Sequence, residues 1–405
     1  MQLIVSNDIT ITGIRKYPHF QKAVREALTF KNPQYIDNIK HKISNWRTPI
    51  SISCYVEVVG SDVVKMPRGV TDILVSATCE NMFLSDAQRL FDSQITEYND
   101  SVHVHFSEEI DTLRDYQANA VRDILKVSLG ILKAPTGSGK TVMALKIIAE
   151  RKQPTLIIVH KKELLYQWRD RAKQFLGLDD TEIGLIGDNK FSIGKVTIGI
   201  VDSLVKRAED IQHRFNHLIV DECHHIPSTM FKNVVSKFKC RYLLGLSATP
   251  SRRDGLDILI NWYLGPIVHV IEPADLQASG DIMIARVIKI STGVTYNYDD
   301  ATSYSKMITD LTENELRNKR ILMDIKAHIS MRHDHKENCL VVSDRKKHCV
   351  FLFAYVEQYL QKHTQEDKRP MAMLMLGNTP EAMKKKHREI LATGQPCIIF
   401  ATSSL

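Results

Sequence analysis

The stretch Gly130-Ile131-Leu132-Lys133-Ala134-Pro135-Thr136-Gly137-Ser138-Gly139-Lys140-Thr141 decides the fold. Gly130–Lys133 reads as a short apolar strand, and Thr141–Glu150 carries the spacing of an amphipathic helix. A strand, a glycine-bearing loop and a helix in that order make a loop whose backbone N–H groups fold around a phosphate. The helix N-terminus adds positive potential. Pro135, Thr136, Gly137, Ser138 and Gly139 form the expected cradle. Lys140 would place its cation on the β- and γ-phosphates of a nucleotide, and the Thr141 hydroxyl suits Mg²⁺. The loop begins with Ala134 where the strict pattern has Gly, but the glycines that the tight turn needs lie nearer the lysine.

Outward from this loop, short apolar runs alternate with helical stretches. The runs are Thr155–Val159, Val196–Val201, Leu218–Val220 and Tyr242–Leu246; the helical stretches include Lys162–Phe175 and Ser228–Phe238. Strands this apolar, separated by helices, predict a parallel sheet covered on both faces. A second α/β unit is expected after Ala274, with strands Cys339–Ser343 and Cys397–Ala401 and a long helical segment from Tyr304 to Ile329. The first ~105 residues read instead as α+β. There, His19–Phe30 has helical spacing, Ser51–Val64 reads as two strands about Gly60-Ser61, and Leu84–Phe91 reads as a short helix. The expected domains are 1–105, 106–275 and 276–405.

Asp221-Glu222-Cys223-His224 follows the run Leu218–Val220. In such a sheet, the C-terminal end of a strand is where a Mg²⁺-holding carboxylate belongs. Asp221 is expected to hold the metal through water and Glu222 to orient and deprotonate the attacking water. His224 is expected near the γ-phosphate. Taken alone, the pair reads equally well as a solvated acidic loop. Three adjacent side chains, Cys223, His224 and His225, do not converge on one ion, so they are not read as a metal site.

With the loop and the acidic pair in place, the chain resembles the superfamily 2 helicases of the DExH type. Leu113-Arg114-Asp115-Tyr116-Gln117 is similar to the family's glutamine element, which implies that Arg114 and Gln117 serve the adenine side of the nucleotide. Ile157–Trp168 and Thr197–Leu204 resemble nucleic-acid-contacting segments. Ser247-Ala248-Thr249-Pro250 matches the motif that couples the ATP site to the nucleic acid, through Ser247 and Thr249. Leu340–His348 and Ile398–Leu405 resemble two motifs of the second lobe. The group most similar is that of the XPB-like and phage UvsW-like DNA helicases, on the DECHH form and on Ser251-Arg252-Arg253-Asp254-Gly255 with Gly265-Pro266-Ile267. The resemblance implies two RecA-like parallel-sheet lobes after a small α+β N-terminal domain, ATP and Mg²⁺ as cofactors, and DNA as partner. It also implies phosphate contacts from Lys161, Lys162, Ser203 and Arg252 in the first lobe, and from Ser343, Arg345, Lys346 and Thr402 in the second. The family's arginine finger lies beyond its fifth motif, inside which Leu405 falls, so the second lobe is expected to be incomplete here.

Composition agrees with a globular protein. Of the 405 residues, 43% are hydrophobic and 25% charged, and no apolar run is long enough to span a bilayer. The formal net charge is +7, unevenly spread. Residues 11–50 carry eight Lys/Arg against two acids, and residues 71–110 one Arg against eight acids. The basic block favours a nucleic-acid partner for the N-terminal domain. Lys384-Lys385-Lys386 reads as a solvated helix face. Seven scattered cysteines without a CxxC pair suit a reduced, cytoplasmic protein, in a host cytoplasm if phage-encoded. Trp46 sits inside the basic block; packing is the expectation, with base stacking as the alternative. Trp168 is expected in the core.

The expected activity is ATP-dependent movement on, and unwinding or branch migration of, branched or forked DNA in recombination, repair or replication, by a monomer with no membrane association. The alternatives are a double-stranded DNA translocase that does not separate strands, an RNA helicase, and an ATP-gated nucleic-acid-binding switch.

Overall fold

The computed structural model describes residues 1–40, 43–71, 73–75, 93–107, 110, 113–225, 233–249, 256–282, 287–295, 304–331, 338–365 and 369–402. The expected helix at Leu84–Phe91, Cys79 and the segment Ser251 to Gly255 with Arg252 lie outside them. The fold is α/β, with tandem RecA-like lobes after a small α+β region. The chain divides into two compact units, Met1–Ala285 and Arg286–Leu405.

The first unit opens with seven strands: β1 (Gln2–Val5), β2 (Asp8–Thr12), β3 (Thr29–Lys31), β4 (Ser51–Ser53), β5 (Val56–Glu57), β6 (Val63–Pro67) and β7 (Ser93–Thr96). Five of them form a sheet in the order β5-β6-β2-β1-β7, and β3 pairs with β4 beside it. Helices α1 (Pro18–Ala27) and α2 (Pro33–Lys40) lie between β2 and β4 in the chain. Each begins with Pro, which is pre-set for a first helical turn. The turn at Gly60 is the one expected, with φ 78°, but it joins β5 to β6. Ser51–Ser53 is not the partner strand, because Cys54 N–H bonds Leu28 O at 3.0 Å and sends β4 to β3. Trp46 corrects the packing expectation: it is 87% exposed.

The main sheet has eight strands: β8 (Leu129–Lys133), β9 (Thr155–Val159), β10 (Ile183–Gly187), β11 (Lys190–Phe191), β12 (Val196–Ile200), β13 (His217–Val220), β14 (Tyr242–Ser247) and β15 (Ile267–Val270). Their order is β11-β10-β12-β9-β13-β14-β8-β15. All neighbours are parallel except β10 and β11. Every residue of β9, β10 and β13 is buried, as a sheet with two covered faces requires. β10 and β15 were not foreseen. The β10 sequence IGLIG is interrupted by glycines that ordinarily weaken a strand; here a Cβ on Gly184 would press on Ser192 O at 2.6 Å. Helices α3 (Asp115–Leu125), α4 (Lys140–Arg151) and α5 (Lys162–Leu176) cover one face. Of the helix expected at 228–238, the described end is a single 3-10 turn, Val235–Lys237. Val234, Val235 and Phe238 are all buried there.

Among the contacts that join the N-terminal sheet to this lobe, two are buried deeply. The Arg68 guanidinium, 4% exposed, donates to Cys240 O at 2.6 Å and Arg241 O at 2.7 Å. The helix α6 (Asp257–Leu264) places Leu259 and Trp262 among Ile9, Ile11, Phe20 and Met66 of the N-terminal core.

The second unit is a parallel sheet of β16 (Cys339–Ser343), β17 (Met371–Met375) and β18 (Cys397–Thr402) in the order β16-β18-β17. The single helix expected over Tyr304–Ile329 is two, Tyr304–Glu313 and Glu315–Met331. Asn314 splits it: its side-chain oxygen accepts from Arg317 N–H at 2.9 Å, an N-cap, while Asn318 and Arg317 side chains satisfy Thr312 O and Leu311 O of the preceding helix.

A buried polar network braces the main sheet. His217 Nε2 lies 3.0 Å from an Arg151 nitrogen and Nδ1 lies 3.3 Å from Thr155 Oγ1. Burial, then the neighbouring Arg151 charge, holds the imidazole well below its ordinary pKa. Below about pH 6.5 the unfolded chain takes up a proton that the folded chain does not, so stability falls as pH falls. Between pH 7 and 5 this site is expected to contribute up to about 1.4 kcal/mol per pH unit to the slope of urea-unfolding free energy. His217→Asn should remove that component; an unchanged slope would clear His217 as its source.

Candidate functional site

Parallel pairing brings four strand ends into one row. β9 ends before His160 and Lys161, β13 before Asp221 to His225, β14 at Ser247, and β8 before the loop from Ala134 to Gly139. Main-chain bonds carry the row past the strands: Asp221 N–H donates to Ile158 O at 3.0 Å and Ala134 N–H to Ser247 O at 2.9 Å.

The loop has the expected form. Gly137 and Gly139 take φ of 85° and 84°, the left-handed region that glycine enters without strain. The buried Ser138 hydroxyl donates to Pro135 O at 2.7 Å. Lys140 opens α4, and its Nζ donates to Ala134 O at 3.0 Å. Thr141 follows on the first turn. Gln117 is buried against the loop: its amide donates to Ser138 O at 2.9 Å, and its oxygen accepts from Arg114 N–H at 3.1 Å. Tyr116 OH also donates to Ser138 O, at 3.1 Å. The Arg114 guanidinium reaches Asp281 at 2.7 Å, on the rim of a cavity of about 620 Å³ lined by Leu113, Tyr116, His269 and Leu276 among others.

The acidic pair faces this loop. Glu222 Oε1 lies 3.8 Å from Lys140 Nζ. Glu222 has φ 44°, uncommon for a side-chain-bearing residue, and such backbone strain concentrates at functional sites. Asp221 accepts from Trp168 Nε1 at 2.7 Å and from Glu222 N–H at 3.0 Å. Burial pushes its carboxyl above the usual carboxylate range, against the lowering effect of the Trp168 bond. His224 Nδ1 lies 2.8 Å from Ser247 Oγ, which also accepts from Thr249 N–H at 3.1 Å. The side chains of Asp221, Glu222, His224, Ser247 and Lys140 are thus brought together.

Sequence reasoning missed three members. Trp168 is in the core as expected, but its ring N–H also fixes Asp221. His160 and His225 pack with centroids 4.7 Å apart and rings tilted by 42°, and His225 packs on His224 at 4.0 Å and 40°. Burial lowers the His160 pKa, with His225 adding to it. The signal for His160 was its place directly after an all-apolar strand, the same place that marks Asp221.

The nucleic-acid candidates are more dispersed. Lys161 is exposed at the start of α5, Ser203 is half-buried in the short helix Val201–Val205, and Lys162 pairs with Asp188 at 2.7 Å. In the second unit Ser343 Oγ bonds His348 at 2.9 Å, Arg345 donates to Ser305 O at 2.8 Å, Lys346 is exposed, and Thr402 is buried at the end of β18.

The row of strand ends defines a class. Residues 110–252 match the family described as Type III restriction enzyme, res subunit, and this part of the chain is similar to superfamily 2 helicase domains. It is 43% identical over 157 residues to the DNA 3'-5' translocase XPB2 of Sulfurisphaera tokodaii, covering 39% of this chain and 35% of that protein. A protein of Acanthamoeba polyphaga mimivirus that carries the name of an ATP-dependent RNA helicase is 32% identical over 260 residues, 60% of this chain and 48% of that one. The crystal structure of T4 UvsW aligns with 99% of this chain and 80% of its own, at 16% identity and a TM-score of 0.49. The chain therefore spans less than half the length of these two relatives. Among the described residues no helix is long and apolar enough to cross a membrane.

Trp168→Phe deletes the donor to Asp221 while keeping an aromatic ring in the core. Loss of such a supporting bond ordinarily costs about 10- to 100-fold in metal affinity or activity. The Mg²⁺ concentration for half-maximal ATP turnover is expected to rise by that order; an unchanged Mg²⁺ dependence would reduce Trp168 to packing.

Proposed function

We propose that this chain is an ATP-dependent DNA helicase or translocase that acts on branched or forked DNA in recombination, repair or replication. The observation that carries the reading is the meeting of Lys140 and Glu222, 3.8 Å apart, beside the His224–Ser247 pair. The donor set fits a Mg²⁺–nucleotide complex: Glu222 Oε2 is buried without a hydrogen bond among the described residues, 3.5 Å from His224 Nδ1, and Asp221 is a buried carboxyl whose ionised form a cation would favour. Thr141 and Asp221 would hold the metal, which when bound offsets phosphate charge during transfer. Gly137 to Gly139 and Lys140 bind and orient the phosphates. Glu222 takes the proton of a water as its oxygen attacks the γ-phosphorus, and the bond to the bridging oxygen breaks towards ADP. His224 passes the state of Glu222 to Ser247 and Thr249.

In this reading residues 1–105 form a DNA-binding domain, 106–275 the ATP-binding lobe and 276–405 the second lobe. Arg252, Lys161, Ser203, Ser343, Arg345 and Thr402 meet the phosphates, which lets a motor work on any sequence. DNA is favoured over RNA by the name of the Sulfurisphaera relative. The mimivirus relative makes RNA the second reading.

Lys140→Ala is expected to weaken ATP binding and stop turnover. Glu222→Gln should bind ATP normally and lose turnover by at least about 100-fold, since only the base is removed. Turnover and strand separation measured on single-stranded, duplex and forked DNA and on RNA decide the rest. Normal hydrolysis by Glu222→Gln would end the assignment, and stimulation by RNA alone would move the substrate to the second reading.

A further inference from the structure

We infer that Trp46 is a stacking platform for an unpaired DNA base where duplex opens. This rests on the DNA reading above and adds the place where a base is held.

The three tryptophans of the chain differ in surroundings. Trp168 and Trp262 are 2% and 4% exposed, whereas Trp46 is 87% exposed. An indole left in water forgoes the burial that ordinarily makes Trp worth having, so an exposed one held in place calls for a partner. Trp46 is held in place. It sits in the turn Asn45–Thr48, closed by Thr48 N–H to Asn45 O at 3.0 Å. Behind the turn lies Asn38, 5% exposed. Its amide donates to Asn45 Oδ1 at 2.8 Å and Thr48 Oγ1 at 3.3 Å, and its oxygen accepts from Gln34 at 2.7 Å. Asn32, also buried, ties down Pro49 O and Ile50 O from the other side, through its amide at 2.9 Å and its backbone N–H at 3.0 Å. Two buried amides therefore fix the base of a turn whose tip is a bare indole.

The chemistry around it selects the partner. Lys31, Lys40 and Arg47 are exposed on the same substructure of β3, α2 and the turn; Asp37 is the one acid described there. Ile39, Ile43 and Ile50 are each at least half exposed. An exposed aromatic face on a substructure that also exposes isoleucines and a surplus of cations suits a base with its phosphates, and aromatic stacking tolerates any base. The exposed isoleucines alone would also suit a protein; the surplus of cations favours DNA.

The position gives the platform a use. The N-terminal sheet is joined to the ATP-binding lobe through Arg68 and through Trp262 in the shared core. A base stacked on Trp46 is thus held by the same unit that carries Lys140 and Glu222.

The test uses the full chain and forked DNA carrying 2-aminopurine at the first unpaired position. Wild-type protein should quench the 2-aminopurine, and the fork should shield Trp46, the one exposed tryptophan, from acrylamide. Trp46→Ala should bind the fork about 5- to 100-fold more weakly, the range that stacking one base supplies, and Trp46→Phe should recover most of it. Equal fork affinity and equal 2-aminopurine quenching by Trp46→Ala would overturn the inference, whatever the turnover. Loss of self-association by Trp46→Ala, with fork affinity unchanged, would overturn it in favour of a protein contact. Wild-type protein that binds and quenches the fork without DNA-stimulated turnover would refute the motor reading and leave the platform standing.

Discussion

Everything in the first unit depends on the parallel pairing of β9, β13, β14 and β8. Parallel strands hydrogen-bond evenly and point their C-terminal ends the same way. Side chains that follow those ends therefore meet, although they come from positions up to about a hundred residues apart in the chain. No single contact in the site makes it. The sheet does, and it stays parallel because both faces are buried: Ala120, Leu145 and Trp168 belong to the core cluster on one side and Phe215, Phe238 and Ile260 to that on the other.

Asp221 shows how the same burial sets the chemistry. Burial takes its carboxyl out of water and disfavours its ionised form, with the Trp168 bond opposing that effect. A group in that condition responds strongly to a nearby cation, because little solvent screens it. Glu222, one residue on, is turned by its left-handed backbone. Adjacent carboxyls thus occupy different surroundings.

Much of this was legible in the sequence. Strands buried on both faces announce themselves as apolar runs, so Thr155–Val159 and His217–Val220 were found to within a residue. The loop at 134–141 and the pair Asp221-Glu222 were legible because their chemistry constrains residue type at fixed spacing. What failed to show was tertiary. The bond from Trp168 to Asp221 spans 53 positions, and a tryptophan at helical spacing looks the same whether or not its N–H is used. The His160–His225 ring contact likewise depends on strand order, which no local pattern encodes. Trp46 misled because an aromatic residue is ordinarily buried, and only the amides of Asn32 and Asn38 explain how a turn can hold one outside. Asn314 was a visible cap, but the helical periodicity on either side of it masked the break.

The helix Asp257–Leu264 belongs in sequence to the ATP-binding lobe, yet Leu259 and Trp262 complete the hydrophobic core of the N-terminal sheet. Arg68 fills the same seam from the other direction, and Gly69 lies so close to Trp262 O that a Cβ would stand 2.7 Å from it. The two parts therefore share one cooperative folding transition. Cutting the polypeptide near residue 105 would thus open the core that Ile9, Phe20 and Met66 share with Leu259 and Trp262.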